Sequence, residues 1–133
     1  MCLLPLPFVP WMSNPLGFQL CEAVLHDRVS KVSSLLRDHP EIDINWTNPL
    51  QYTPLHFASL NGHLEVVKLL LAHPNINANL KDKRGGTSLL LGCEFGQVSV
   101  VQELLKDPRV DVTLEDDDGR TPLWFASCFG SMK

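Results

Sequence analysis

Five histidines and four cysteines are the side chains of this 133-residue chain best suited to metal ligation or nucleophilic chemistry. Cys2, Cys21, Cys93 and Cys128 show no CxxC or other ligand spacing. They read as reduced thiols filling small core or surface positions. A cysteine nucleophile needs a positioned base, and no such pairing can be inferred from the sequence. Gly85-Gly86 does not lie between a strand and a helix, so no phosphate-cradling loop is expected there. Asn45-Trp46-Thr47 matches a glycosylation sequon, but nothing else in the chain suggests secretion. The expectation is therefore a non-catalytic chain with no metal and no cofactor.

The elements that carry these residues recur. Thr53, Thr87 and Thr121 lie 34 residues apart, and Gly62/Gly96/Gly130, Val32/Val66/Val100, Leu36/Leu70/Leu104 and Pro40/Pro74/Pro108 keep the same period. Ile42/Ile76/Val110 and Asn45/Asn79/Thr113 carry it through the connecting loops. The best-formed copy begins at Thr53, an N-cap whose hydroxyl can take an orphan amide, followed by Pro54, which has no amide to orphan. Asn61-Gly62 ends that first short helix, because glycine enters the left-handed region without steric cost. Val66, Val67, Leu70 and Leu71 form the apolar face of a second helix that stops before Pro74. Neither helix is long enough to stand alone, so stacking of copies must stabilise both.

Thr-Pro-Leu-His at 53–56, Asn-Gly-His at 61–63 and the Val-Val…Leu-Leu helix resemble the ankyrin repeat, with weaker echoes at Thr87-Ser88-Leu89 and Thr121-Pro122-Leu123. One departure is regular. The family's Gly-Ala-Asp is replaced by Pro-Glu-Ile-Asp at 40–43, Pro-Asn-Ile-Asn at 74–77 and Pro-Arg-Val-Asp at 108–111, one residue longer than the common repeat. The resemblance implies an all-α solenoid of about three and a half repeats with β-turn fingers along one edge. Repeat one spans 14–52 as an atypical capping copy, with Gln19-Leu20 in the Thr-Pro slot and Arg28 in the glycine slot. Repeat two spans 53–86, repeat three 87–120, and 121–133 is a partial fourth. His56 matches the family's bracing histidine. His39 and His73 occupy one slot of successive repeats, expected about 10 Å apart, too far to share a zinc ion.

At −4 net charge and 44% apolar residues, the chain is that of an ordinary soluble domain with no general attraction for nucleic acid or anionic lipid. Residues 1–13, MCLLPLPFVPWMS, are apolar but interrupted by Pro5, Pro7 and Pro10, so they can form neither a spanning helix nor a signal peptide. A poorly ordered tail is expected there, with a cover for the first repeat's exposed face or a polyproline-type ligand as alternatives. The localisation expected is intracellular, cytoplasmic or nuclear.

The resemblance further implies that finger tips and the free side of each first helix bind a protein partner in a concave groove. The residues this places there are Trp46, Leu50 and Tyr52 in finger one, and Lys81, Lys83 and Arg84 in finger two. Finger three offers Glu115, Asp117 and Arg120. On the first helices the free slots are His26 and Asp27, Leu60 and Asn61, Glu94 and Phe95, and Cys128 and Phe129. A monomer is expected, with self-association through the incomplete last repeat as an option. Two other functions stay open: membership of a longer array that binds as a whole, and asparagine hydroxylation at positions such as Asn45 and Asn79.

Overall fold

The computed structural model describes residues 15–129. The expectations for residues 1–13 lie outside them, as does the Cys128 and Phe129 side-chain pair. Seven helices occur among the described residues: α1 (Pro15–Leu25), α2 (Val29–Asp38), α3 (Pro54–Asn61), α4 (Leu64–Leu71), α5 (Ser88–Glu94), α6 (Val98–Leu105) and α7 (Pro122–Phe129). The odd-numbered helices pack side by side in one row, and α2, α4 and α6 form a second row behind them. No strand occurs among the described residues, and the fingers are tight turns. The fold is all-α, a stack of helix pairs.

Local chemistry fixes each pair. Thr53 Oγ1 accepts the His56 amide at 3.2 Å while His56 Nδ1 accepts the Thr53 amide at 2.9 Å, a reciprocal cap for α3. Thr87 and Thr121 make the same first bond, to the amides of Leu90 and Trp124. Leu90 and Trp124 stand in the histidine slot and do not supply the ring acceptor that His56 does. Between the rows, Leu20, Leu55, Leu89, Val32, Val66, Val67, Leu70, Val100 and Leu104 are sealed from solvent. Burying each such side chain is worth about 1.5–3 kcal/mol, which compensates for helices too short to form alone.

Repeat one differs from the sequence reading by one residue. The turn closing α1, Arg28 N–H to Ala23 O, corresponds to His63 N–H to Ala58 O, a spacing of 35 rather than 34. The left-handed slot filled by Gly62 and Gly96 is therefore taken by Asp27, at φ 54°, and not by Arg28. Aspartate is among the few residues that tolerate this region. Leu35, not Leu36, is the buried partner of Leu70. The loop after α2 restores the period, since Ile42 N–H to His39 O matches Ile76 N–H to His73 O.

The start of α1 shows sequence and structure parting. Residues 13–18, SNPLGF, copy 47–52, TNPLQY, at the repeat period. The second stretch is finger one, whereas Pro15–Phe18 forms the first turn of a helix. Trp46 packs against Gly17 so closely that a Cβ there would overlap its ring.

Candidate functional site

Each finger is built on one Asx turn. Asn48 Oδ1 accepts the amides of Leu50 and Tyr52, Asp82 Oδ1 those of Arg84 and Gly86, and Asp116 Oδ1 those of Asp118 and Arg120, all at 2.8–3.0 Å. The residue before each finger closes is left-handed: Gln51 at φ 65°, Gly85 at 80°, Gly119 at 76°. Successive fingers are joined by backbone, with Lys83 N–H donating to Leu50 O at 3.2 Å and Asp117 N–H to Arg84 O at 3.0 Å. The donor position of finger one is Pro49, which has no N–H. A finger upstream of it would gain no such bond.

The loops behind the fingers are stapled too. Asn45 Nδ2 donates to Asn75 O at 2.9 Å while its Oδ1 accepts the Asn77 amide at 2.8 Å. Asn79 makes the same pair to Arg109 O and the Asp111 amide, both at 2.8 Å. The two asparagine amides named for hydroxylation thus bridge neighbouring repeats. Arg109 adds a link that the sequence did not reveal. Its guanidinium donates to the carbonyls of Leu71 and His73 at the end of α4, and Asp107 holds it at 2.7 Å. The Leu71 carbonyl lies at the end of α4, where carbonyls lack intrahelical partners and a cation is favoured, while His73 O also accepts the Ile76 amide.

The predicted binding residues fall into distinct situations. Leu50 is 53% and Phe95 51% exposed, so both offer apolar surface. Trp46 does not: it is 7% exposed, and its ring is a wall packed on Gly17 rather than a free anchor. Tyr52 is half-buried, edge-on to His56 and tilted against Phe57 with ring centroids 5.8 and 5.3 Å away. Leu60 is half-buried and its carbonyl accepts Gln97 Nε2 at 2.9 Å, while Asn61 is exposed and donates to Phe57 O at 3.0 Å.

Finger two is the basic tip. Lys81, Lys83 and Arg84 are exposed, and among the described residues none is ion-paired with a carboxylate. Lys81 Nζ instead donates to the Glu115 carbonyl at 3.1 Å. On finger three, Glu115 and Asp117 are exposed. Arg120 is engaged within its own finger, 2.8 Å from Asp116, with its guanidinium over the rings of Trp124 and Phe125. Burial works against the Asp116 charge, but the backbone amide and guanidinium of Arg120 and the amide of Asp118 outweigh it and hold the carboxyl below its usual range. Glu94 is half-buried near this corner.

The one-residue shift in repeat one also relocates its free slots. The counterparts of Leu60 and Asn61 are Leu25 and His26, not His26 and Asp27. Leu25 is 44% exposed and opens onto an apolar cleft of about 420 Å³. Phe18 and Cys21 of α1, Trp46, Pro49 and Leu50 of finger one, and Phe57 of α3 form its walls. A second cleft, about 360 Å³, opens between α5, α6 and α7, where Leu105, Val112 and Leu123 are exposed.

Among the described residues no three His, Cys, Asp or Glu side chains come together as a ligand set, and no helix is long and apolar enough to cross a membrane. Cys21 and Cys93 are free and buried, and burial pushes their thiols up to about 12 and about 11. His56 is buried and spans Thr53 and Gly86, a brace rather than a base.

A search of curated proteins gives no match. A family model for ankyrin repeats, in three copies, matches residues 20–116. With that match laid over stacked helix pairs, Asx-built fingers and the bracing histidine, the chain belongs to the ankyrin repeat family, typically non-enzymatic and generally a protein–protein interaction module.

Proposed function

We propose that this chain is a non-catalytic binding module that holds a protein partner along its finger tips and the ends of its first helices. The observation carrying this reading is Phe95, half exposed at the end of α5, on a chain whose finger two presents three cations with no carboxylate partner among the described residues. Aromatic side chains with large accessible area anchor interfaces, and unpaired charge steers encounter. Leu50 extends the apolar part toward finger one. The partner that fits is a protein segment with an apolar anchor flanked by acidic residues.

Affinity purification with quantitative mass spectrometry tests this, comparing the parent with Phe95→Ala and with the triple reversal Lys81→Glu/Lys83→Glu/Arg84→Glu. Partners enriched by the parent should be depleted by Phe95→Ala at any salt, and by the triple reversal chiefly at low salt, where the Debye length is long. If both variants keep the parent's melting temperature and partners, the reading fails. A second reading is favoured by the cleft between α5, α6 and α7. Its apolar rim of Leu105, Val112 and Leu123 is suited to a further helix of a longer array, so that binding belongs to the whole stack. Adding such a helix with a polar outer face should raise the melting temperature.

A further inference from the structure

The cleft between α1, finger one and α3 has an apolar interior and flanks of opposite charge. We infer that it is the anchor subsite of the partner groove, taking a large apolar side chain from a protein segment that carries acidic residues on its finger-two side and none on its α1 side. This rests on the binding role proposed above and narrows the partner that such a role engages.

Leu25, Trp46, Pro49, Leu50 and Phe57 wall an opening of about 420 Å³, within the range of about 300–1,000 Å³ usual for formed binding pockets. Leu25 and Leu50 are half exposed, whereas Trp46 is sealed and held against Gly17. An anchor entering here covers the two leucines and meets a wall that is already fixed, so little of the protein has to be ordered as it binds. The rung that joins the other fingers is not available on the upstream side of finger one, because Pro49 has no amide to donate. A segment seated there is therefore held chiefly through its side chains, the mode in which a few large anchors carry most of the affinity.

The flanks decide what surrounds the anchor. Lys83 N–H donates to Leu50 O at 3.2 Å, which sets the tip of finger two beside the Leu50 wall. Lys81, Lys83 and Arg84 are exposed there without a carboxylate partner among the described residues. On the α1 wall stands Glu22, exposed and without a cation paired to it among the described residues. An acidic residue next to the anchor is attracted on the first side and repelled on the second. Charge thus fixes which way the segment lies as well as how fast it arrives.

The test selects a displayed library of random peptides against the full chain. Enriched peptides should pair a large apolar residue with Asp or Glu on one side of it only. Their affinity, read by fluorescence anisotropy, should fall at least about tenfold for Leu25→Glu/Leu50→Glu. For Lys81→Glu/Lys83→Glu/Arg84→Glu it should fall severalfold at low salt and little at high salt. Glu22→Lys should admit peptides that are acidic on both sides of the anchor. In the isotope-labelled parent the selected peptides should move the amide signals of Leu25, Leu50 and Phe57 and leave those of Leu105 and Val112 in place, a readout independent of how any variant folds. Peptides that bind the double glutamate variant as tightly as the parent but are lost on Phe95→Ala overturn the cleft and leave the binding role standing. Enrichment of peptides without acidic residues, or with them on both sides of the anchor, overturns the charge assignment and the proposal with it. A library that yields no binder overturns the subsite, while the binding role is judged by the purification described above. Signals at Leu25 and Leu50 that shift with protein concentration alone assign the cleft to a second copy and also overturn the proposal.

Discussion

His56 Nε2 lies 2.9 Å from the carbonyl oxygen of Gly86, 30 residues further along the chain. With Nδ1 accepting the Thr53 amide, the ring is neutral and carries its proton on Nε2. Burial lowers its pKa below the ordinary histidine value, against the opposing pull of the Gly86 carbonyl, the Asp82 charge and the Leu80 carbonyl. The unfolded chain therefore binds this proton more readily. The stability contribution is full above about pH 6.5 and is lost as pH falls below it toward the folded pKa. Urea midpoints from about pH 7.5 down to about pH 5.5 should fall more steeply for the parent than for His56→Leu, which borrows the residue of repeat three. Equal slopes would exclude this role for the ring.

Gln51 sits at φ 65° where repeats two and three use glycine. Gln51→Gly should stabilise the protein by up to about 1 kcal/mol, since the steric cost of the left-handed region exceeds the added chain entropy. Gly85→Ala should cost more than that relief. Its φ is 80°, and a Cβ there would come within 2.6 Å of Asp117 Oδ1 and 2.8 Å of the Asp117 amide nitrogen. Thermal midpoints of the two variants should move in opposite directions.

Ser59 is sealed from solvent and its hydroxyl has no hydrogen-bond partner. The same slot holds Val24 in repeat one and Cys93 in repeat three. Ser59→Ala should raise stability by about 1 kcal/mol, by removing an unsatisfied buried group and inserting a better helix former. A lower urea midpoint for the variant would show that the hydroxyl is satisfied after all.

Asn79 joins repeats two and three through two side-chain bonds of 2.8 Å. Asn79→Ala should cost about 1 kcal/mol, because water can replace bonds at this exposed site. Hydrogen exchange should speed at Asp111 and leave the Asn77 amide, held by Asn45, unchanged. Loss of protection across all repeats would mean that the stack opens as one unit rather than by neighbours.

The caps at Thr53, Thr87 and Thr121 and the double-helix unit were legible because each is a local event between residues three or four apart. The register of repeat one was not. Leu35-Leu36 faces Leu70-Leu71, and either spacing keeps an apolar side chain inward, so the apolar pattern alone cannot choose between 34 and 35. The choice is made in the turn, where Asp27 rather than a glycine takes the left-handed position. That single shift hid Leu25 and with it the cleft. The reach of Arg109 back to α4 was invisible for another reason: it depends on where a long side chain is aimed across a repeat boundary, which spacing does not encode. The resemblance places Trp46 beside the finger-one tip residues, and spacing does not show that Gly17, far away in sequence, provides the recess that receives its ring.

The proline at position 49 gives the finger edge a direction. Every rung runs from an amide in the later finger to a carbonyl in the earlier one. If two copies stacked head to tail, continuing the rungs would require the residue-49 amide of one chain to reach the residue-118 carbonyl of the next. Heterologous contacts of that kind do not close on themselves and propagate into fibres. The ring of Pro49 removes that donor, so a rung of this kind cannot be made from residue 49.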